Sequence, residues 1–133
     1  MNALNLLAVF LGSGLGGVCR YLLSKIIQAH CAAGLFPWGT FVVNVAGCFL
    51  IGLFYGISDN SGISGMLSPQ LRLLLTVGFC GGFTTFSTFV NENYLLFQSS
   101  NFLLVCGYVA ASIIAGFLLL YTGYAAVQLF IAR

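Results

Sequence analysis

Charge is nearly missing from this chain. Of 133 residues four are Lys or Arg and two are Asp or Glu, so 5% are charged while 60% are hydrophobic. A soluble domain carries about a quarter charged residues, and the deficit excludes that class. Histidine is scarce too: His30 stands alone and is expected to be solvated in the first loop. With no ligand cluster around it and no Ser/His/Asp arrangement, nothing points to an enzyme. The net charge of +2 comes without a basic run, which removes nucleic acid from the candidate partners. A positive n-region is also absent from the first six residues, so the first apolar stretch is expected to be a permanent span, not a signal peptide. Five cysteines (Cys19, Cys31, Cys48, Cys80, Cys106) form no CxxC and give an odd count. Four of them lie within apolar segments and are expected to pack as small hydrophobes, with no disulfide framework.

What the chain has in abundance is long apolar runs. A bilayer core of about 30 Å takes about 20 helical residues per crossing. Four stretches meet this length, at about 3–23, 38–57, 70–97 and 102–131. A polar turn from Ser58 to Gly65 separates the second from the third, and Pro69 precedes the next helix. The expected fold is an all-α membrane protein: four transmembrane helices in one domain, residues 1–133. The termini and the middle loop then share one side of the membrane. Arg72 and Arg133 lie on that side and Arg20 and Lys25 flank the other, a two-against-two count that gives no orientation bias. Such a chain is expected to insert both ways and to pair as an antiparallel homodimer. Gly12/Gly16 and Gly52/Gly56 offer small-residue faces for the partner.

The third span is expected to break. Residues 78–89 read Gly-Phe-Cys-Gly-Gly-Phe-Thr-Thr-Phe-Ser-Thr-Phe. Each glycine costs a helix about 1 kcal/mol relative to alanine, and the hydroxyls that follow suit the cap of a restarted helix. Irregular backbone at membrane depth occurs only inside protein or along an aqueous path, so the interruption marks an ion or solute site. The restarted half-helix presents free N–H groups suited to an anion. Loosened carbonyls around Gly81 to Thr84 suit a small cation. Phe86 and Phe89 share a face and flank Ser87 and Thr88. A phenyl edge is positive and meets an anion without a full charge.

Polar groups inside spans are costly and informative. Thr40, Asn44, Gly47 and Cys48 form a stripe on the second span. Asn44 either bonds another helix or donates to a permeating anion. Arg20, in register with Gly12 and Gly16, is either a snorkelling anchor or a source of positive potential at the mouth of an anion path. Glu92 is the acidic residue within a span, expected to be protonated or able to swing aside. Tyr108, Ser112 and Gly116 share a face of the fourth span, where Tyr108 either bonds an anion or sits near an interface. Gly12-x-Gly14-x-x-Gly17 fits GxGxxG formally, but no strand precedes it and it is set aside.

Three segments, Gly12 to Tyr21, Gly39 to Gly47 and Gly78 to Phe89, resemble the CrcB/Fluc family of small fluoride channels, found mostly in bacteria. The likeness runs over all four spans. It implies a passive, fluoride-selective channel in the bacterial inner membrane that exports cytoplasmic fluoride, built as an antiparallel, dual-topology homodimer with two pores. It further implies a structural sodium ion on the two-fold axis, held by the backbone carbonyls of Gly81 and Thr84. The edges of Phe86 and Phe89 would line the path. Asn44, Ser87 and Thr88 would donate to fluoride, Arg20 would support a vestibule, and Tyr108, Ser112 and Glu92 match the family's polar track. Gly116 departs from relatives that carry a hydroxyl there, and Ser13 stands where glycine is usual. The alternatives are a small proton-coupled exporter of organic cations, whose glutamate would belong in the first span, and a structural subunit without transport activity.

Overall fold

The computed structural model describes residues 2–31, 34–59, 65 and 67–131, and the regular structure among them is helical throughout. Helix α1 is Ala3–His30 and α2 is Trp38–Asp59. Helix α3, Pro69–Leu73, widens into a π-helical stretch, Leu74–Cys80, and tightens again as the short α4, Gly81–Phe83. Helix α5 is Phe86–Gln98 and α6 is Phe102–Ile131. Four segments are long and apolar enough to cross a membrane: α1, α2, Pro69–Gln98 and α6. This is a multi-pass membrane protein. Arg133 and most of the polar turn expected after α2 lie outside the described residues.

Local chemistry sets the helix starts. Asn2 caps α1, its side chain accepting the Leu4 N–H at 3.2 Å. Ser68 caps α3 by accepting from Leu71 at 3.2 Å, with Pro69 at the first helical position, where its missing N–H costs nothing. The end of α1 differs from the expected boundary. Residues 24–30 contain no breaker, so the helix continues through its 28 residues, about 42 Å. His30 is therefore the last residue of α1 and not a loop residue; its Nδ1 lies 2.8 Å from the Ile26 carbonyl, and it is exposed.

Two close helix contacts organise the bundle. Helix α1 lies along the π stretch and α4, and α2 lies along α6. A Cβ at Gly12 or Gly16 would run into the backbone carbonyl of Leu74 or Phe79. At Gly52 it would meet the Leu120 carbonyl, and at Gly56 the Val127 side chain. The small-residue faces expected to receive a partner are thus consumed within the chain. In a lipid environment helices associate through such dispersion contacts, and the missing side chains let the backbones touch. Outside, large apolar side chains such as Phe10, Leu103, Phe117 and Phe130 are exposed.

The α5–α6 turn closes with paired hydrogen bonds: Ser100 N–H to Phe97 O and Asn101 N–H to Leu96 O, each 3.0 Å. Ser100 takes the left-handed conformation, φ 60°, that this motif usually gives to glycine. A side chain there costs about 1 kcal/mol. Ser100→Gly is expected to raise stability by about that amount, read as a higher unfolding midpoint in detergent.

Candidate functional site

Halfway along the third crossing the backbone leaves the helix. Thr84 (φ −87°, ψ 160°) and Thr85 (φ −149°, ψ 115°) are extended between α4 and α5. Two of the three glycines ahead of this point pack against a neighbouring helix. A Cβ on Gly78 would sit 3.0 Å from the Gly12 Cα, and one on Gly82 would strike the Ser13 backbone, so both are packing positions against α1. The threonines themselves carry the interruption. Thr84 turns both its N–H and its hydroxyl onto the Cys80 carbonyl, each at 2.9 Å. The Thr85 hydroxyl accepts from the Thr88 N–H at 3.2 Å and donates to Thr88 Oγ1 at 2.9 Å, which caps α5.

Asn44 holds the extended pair in place. Thr85 N–H donates to Asn44 Oδ1 at 2.7 Å, and Asn44 Nδ2 donates to the Thr85 carbonyl at 3.1 Å. In an unbroken helix the Thr85 N–H would close on the Gly81 carbonyl. Asn44 takes that donor and leaves the Gly81 oxygen without its helical partner. The next carbonyl, Gly82, accepts from Arg20 Nε at 3.1 Å. Arg20 is therefore a bridge from α1 to the end of α4, where a cation suits the exposed carbonyls. The carbonyl is neutral, so the guanidinium keeps its positive charge.

A second polar group lies further along α5. Glu92 accepts from Thr40 Oγ1 at 2.6 Å and from the Tyr108 hydroxyl at 2.9 Å, one donor on each oxygen. Tyr108 is fully buried, and its ring meets Phe89 edge-on at 4.9 Å and Phe36 at 5.1 Å. Its hydroxyl is thus engaged inside the chain, by Glu92. Glu92 is held through both oxygens in this arrangement.

Two recesses connect these groups to the outside. The first, 250 Å³, is lined by Asn44, Thr85, Phe86, Phe89, Ser112 and Ile113. The Ser112 hydroxyl is buried there without a hydrogen-bond partner. Phe86 is 78% exposed, and its ring centre is 6.2 Å from that of Phe89. The second recess, 490 Å³, holds Thr88 and Glu92 together with Thr40 and Lys25. Of the residues expected to form a path, Asn44, Phe86, Phe89 and Ser112 come together in the first recess and Thr88 and Glu92 in the second, with Tyr108 between the two. Ser87 is exposed on α5, its Oγ 3.5 Å from Thr85 Oγ1, and lines neither recess. Arg20 lines neither. At Gly116 a Cβ would lie 3.3 Å from Cys48 Sγ, so a side chain there would press on the sulfur. Thr40 and Thr85 also line the recesses, though neither is among the residues expected to form a path. Thr40 stands one helical turn from Asn44, and Thr85 is the hydroxyl residue immediately ahead of an apolar-periodic segment, the position of a cap.

Comparison with known proteins agrees over most of the chain. Residues 7–124 match the family described as CrcB-like protein, Camphor Resistance (CrcB). A Phocaeicola vulgatus protein, named fluoride-specific ion channel FluC, is 46% identical over 114 residues, covering 86% of this chain and 90% of its own length. The protein of the same name from Flavobacterium psychrophilum is 44% identical over 115 residues, with 86% and 90% coverage. That from Gloeothece citriformis is 41% identical over 120 residues, with 90% and 94% coverage.

The Asn44 clamp has a measurable consequence. Asn44→Ala leaves the Thr85 N–H and carbonyl unpaired where water is scarce, at about 1–3 kcal/mol for each. A loss of about 2–4 kcal/mol of stability is expected. Asn44→Asp, which keeps the acceptor for the Thr85 N–H, should lose less. Equal midpoints for Asn44→Ala and wild type in detergent unfolding would remove the clamp.

Proposed function

The chain belongs to the CrcB family, and from that membership we propose the following working of its site. The protein is a passive, fluoride-selective ion channel. The observation that carries the mechanism is the 250 Å³ recess: an orphaned serine hydroxyl, an asparagine amide and two phenyl rings gathered on an outer face, with Phe86 78% exposed. Fluoride is small and strongly hydrated, so a path must replace its water with donors. The Asn44 amide has two hydrogens and spends one on the Thr85 carbonyl. The other, with the Ser112 hydroxyl and the positive edges of Phe86 and Phe89, can face an anion. From there the Thr88 hydroxyl, beside Glu92, lines the second recess.

One chain leaves this recess open on its side. A second copy, inserted in the opposite sense, covers it and completes two paths between the subunits. The same pairing accounts for the freed carbonyls. Gly81 is exposed, with open space where a Cβ would be. Its carbonyl and that of Thr84 are hard oxygen ligands that suit a sodium ion. Two per chain become four across a two-fold axis, and the ion would supply positive charge that ties the two broken helices together. Bulk lipid surrounds the apolar exterior, and the inner membrane of a bacterial cell is the expected location. Fluoride enters cells as weakly acidic HF and accumulates as the anion, so a passive exit relieves its toxicity. Export of organic cations by proton exchange would need a membrane carboxylate free to alternate between substrate and proton. Glu92 is engaged through both oxygens by Thr40 and Tyr108.

Efflux from liposomes containing the purified protein tests this reading. Fast, valinomycin-dependent release of fluoride with chloride retained is expected. Phe86→Ala removes an exposed ring that the fold does not lean on. Losing an aromatic interaction of about 1.5 kcal/mol should slow fluoride release about tenfold, with the elution volume of the assembly unchanged. Unchanged flux in Phe86→Ala would remove the assigned path, and no fluoride release from assembled wild-type protein would overturn the channel.

A further inference from the structure

The 490 Å³ recess is lined by Ser24, Lys25 and Gln28 of α1, by Thr40 of α2 and by Thr88 and Glu92 of α5. Its inner wall is the Thr40–Glu92 pair, which leads through Tyr108 to Phe89 and so to the first recess. Its rim belongs to α1. Gln28 is occupied there, its Oε1 accepting the Gly39 N–H at 3.2 Å. Arg20, more than a turn away on the same helix, donates to the Gly82 carbonyl and does not line this recess. Lys25 is different. Its ammonium lies 4.9 Å from the centre of the Tyr21 ring, which steadies it without neutralising it, and it forms no ion pair among the described residues.

A carboxyl at the inner wall opposes the entry of an anion. An unneutralised ammonium in the same recess offsets that field and raises the local anion concentration. We propose that this recess is an outer vestibule of the fluoride path and that Lys25 is the residue that concentrates fluoride in it. The proposal rests on the channel reading. It assigns Lys25 an electrostatic role in entry and no direct part in the narrow region at Phe86 and Phe89.

Charge at a mouth acts through water and is erased by salt, which separates it from a structural role. A unit charge at about 10 Å in water changes the local concentration of a monovalent ion about twofold, and a reversal changes it about fourfold. The screening length falls from about 30 Å at 0.01 M to about 3 Å at 1 M salt. The experiment is fluoride efflux from liposomes at low, subsaturating fluoride, with ionic strength set by an impermeant salt. Lys25→Gln should release fluoride about twofold more slowly than wild type at about 0.01 M and Lys25→Glu about fourfold more slowly. Both should converge on wild type at about 1 M, and Lys25→Arg should match wild type throughout. Arg72→Gln, the same charge change on α3 where Arg72 stacks over Tyr55, should show no comparable effect. Equal rates for Lys25→Glu and wild type at low salt, or a deficit that persists at high salt, would overturn the role of Lys25. Wild-type liposomes that release no fluoride would instead overturn the channel reading beneath it.

Discussion

The structure depends on how two extended residues are satisfied in the middle of a 30-residue membrane crossing. Backbone N–H and carbonyl groups taken out of a helix in that setting cost several kcal/mol unless protein replaces the lost partners. Here one side chain of α2 does so. The carboxamide of Asn44 matches the Thr85 N–H and carbonyl as a neighbouring strand would. The threonine hydroxyls absorb what remains, one on the Cys80 carbonyl and one on the start of α5. Gly47, one turn along α2, has no Cβ and so admits the Thr84 methyl. The stripe Asn44, Gly47, Cys48 is in this sense a mould for the interruption.

Once the junction is held, the other features follow from it. Diverting the Thr85 N–H frees the Gly81 oxygen, and Arg20 takes the next carbonyl. Restarting the helix at Phe86 turns Phe86 and Phe89 toward Asn44 and Ser112, and it carries Glu92 to Thr40 and Tyr108. Two polar recesses therefore arise on either side of a buried tyrosine without any charged residue lining the first. That composition suits an anion that must be dehydrated and released again. A fixed positive charge at that point would hold it, while donors, ring edges and a half-helix terminus attract it more weakly.

Much of this is legible in the sequence, because a bilayer allows few architectures. Low charge and run length give four apolar helices, and a cluster of glycines and threonines inside one of them marks the third crossing as unusual. The finer assignment is harder to read. Glycines both weaken helices and admit neighbours. Gly12, Gly16, Gly52 and Gly56 suggest a partner face, yet each meets a helix of its own chain. Gly78 and Gly82 likewise pack against α1, and the extended residues are the threonines beyond them. Arg20 looked like a flanking charge because the apolar run ends near Leu23; the helix continues to His30, and the guanidinium turns inward to a carbonyl that no periodicity reveals. Asn44 carried two readings that sequence could not separate, and the geometry allows both. One amide hydrogen clamps Thr85 and the other is left for the recess.

The central claim is that the recess beside Phe86 and Phe89 conducts when a second copy covers it. The size of the conducting unit tests this most directly. Protein is reconstituted at falling density, and the fraction of liposomes that never release fluoride is followed as the chance of an empty vesicle rises. The expected result is a decay set by a unit of two chains, twice 14.2 kDa. A decay set by a single chain of 14.2 kDa would contradict it, since the path would then be complete within one four-helix bundle.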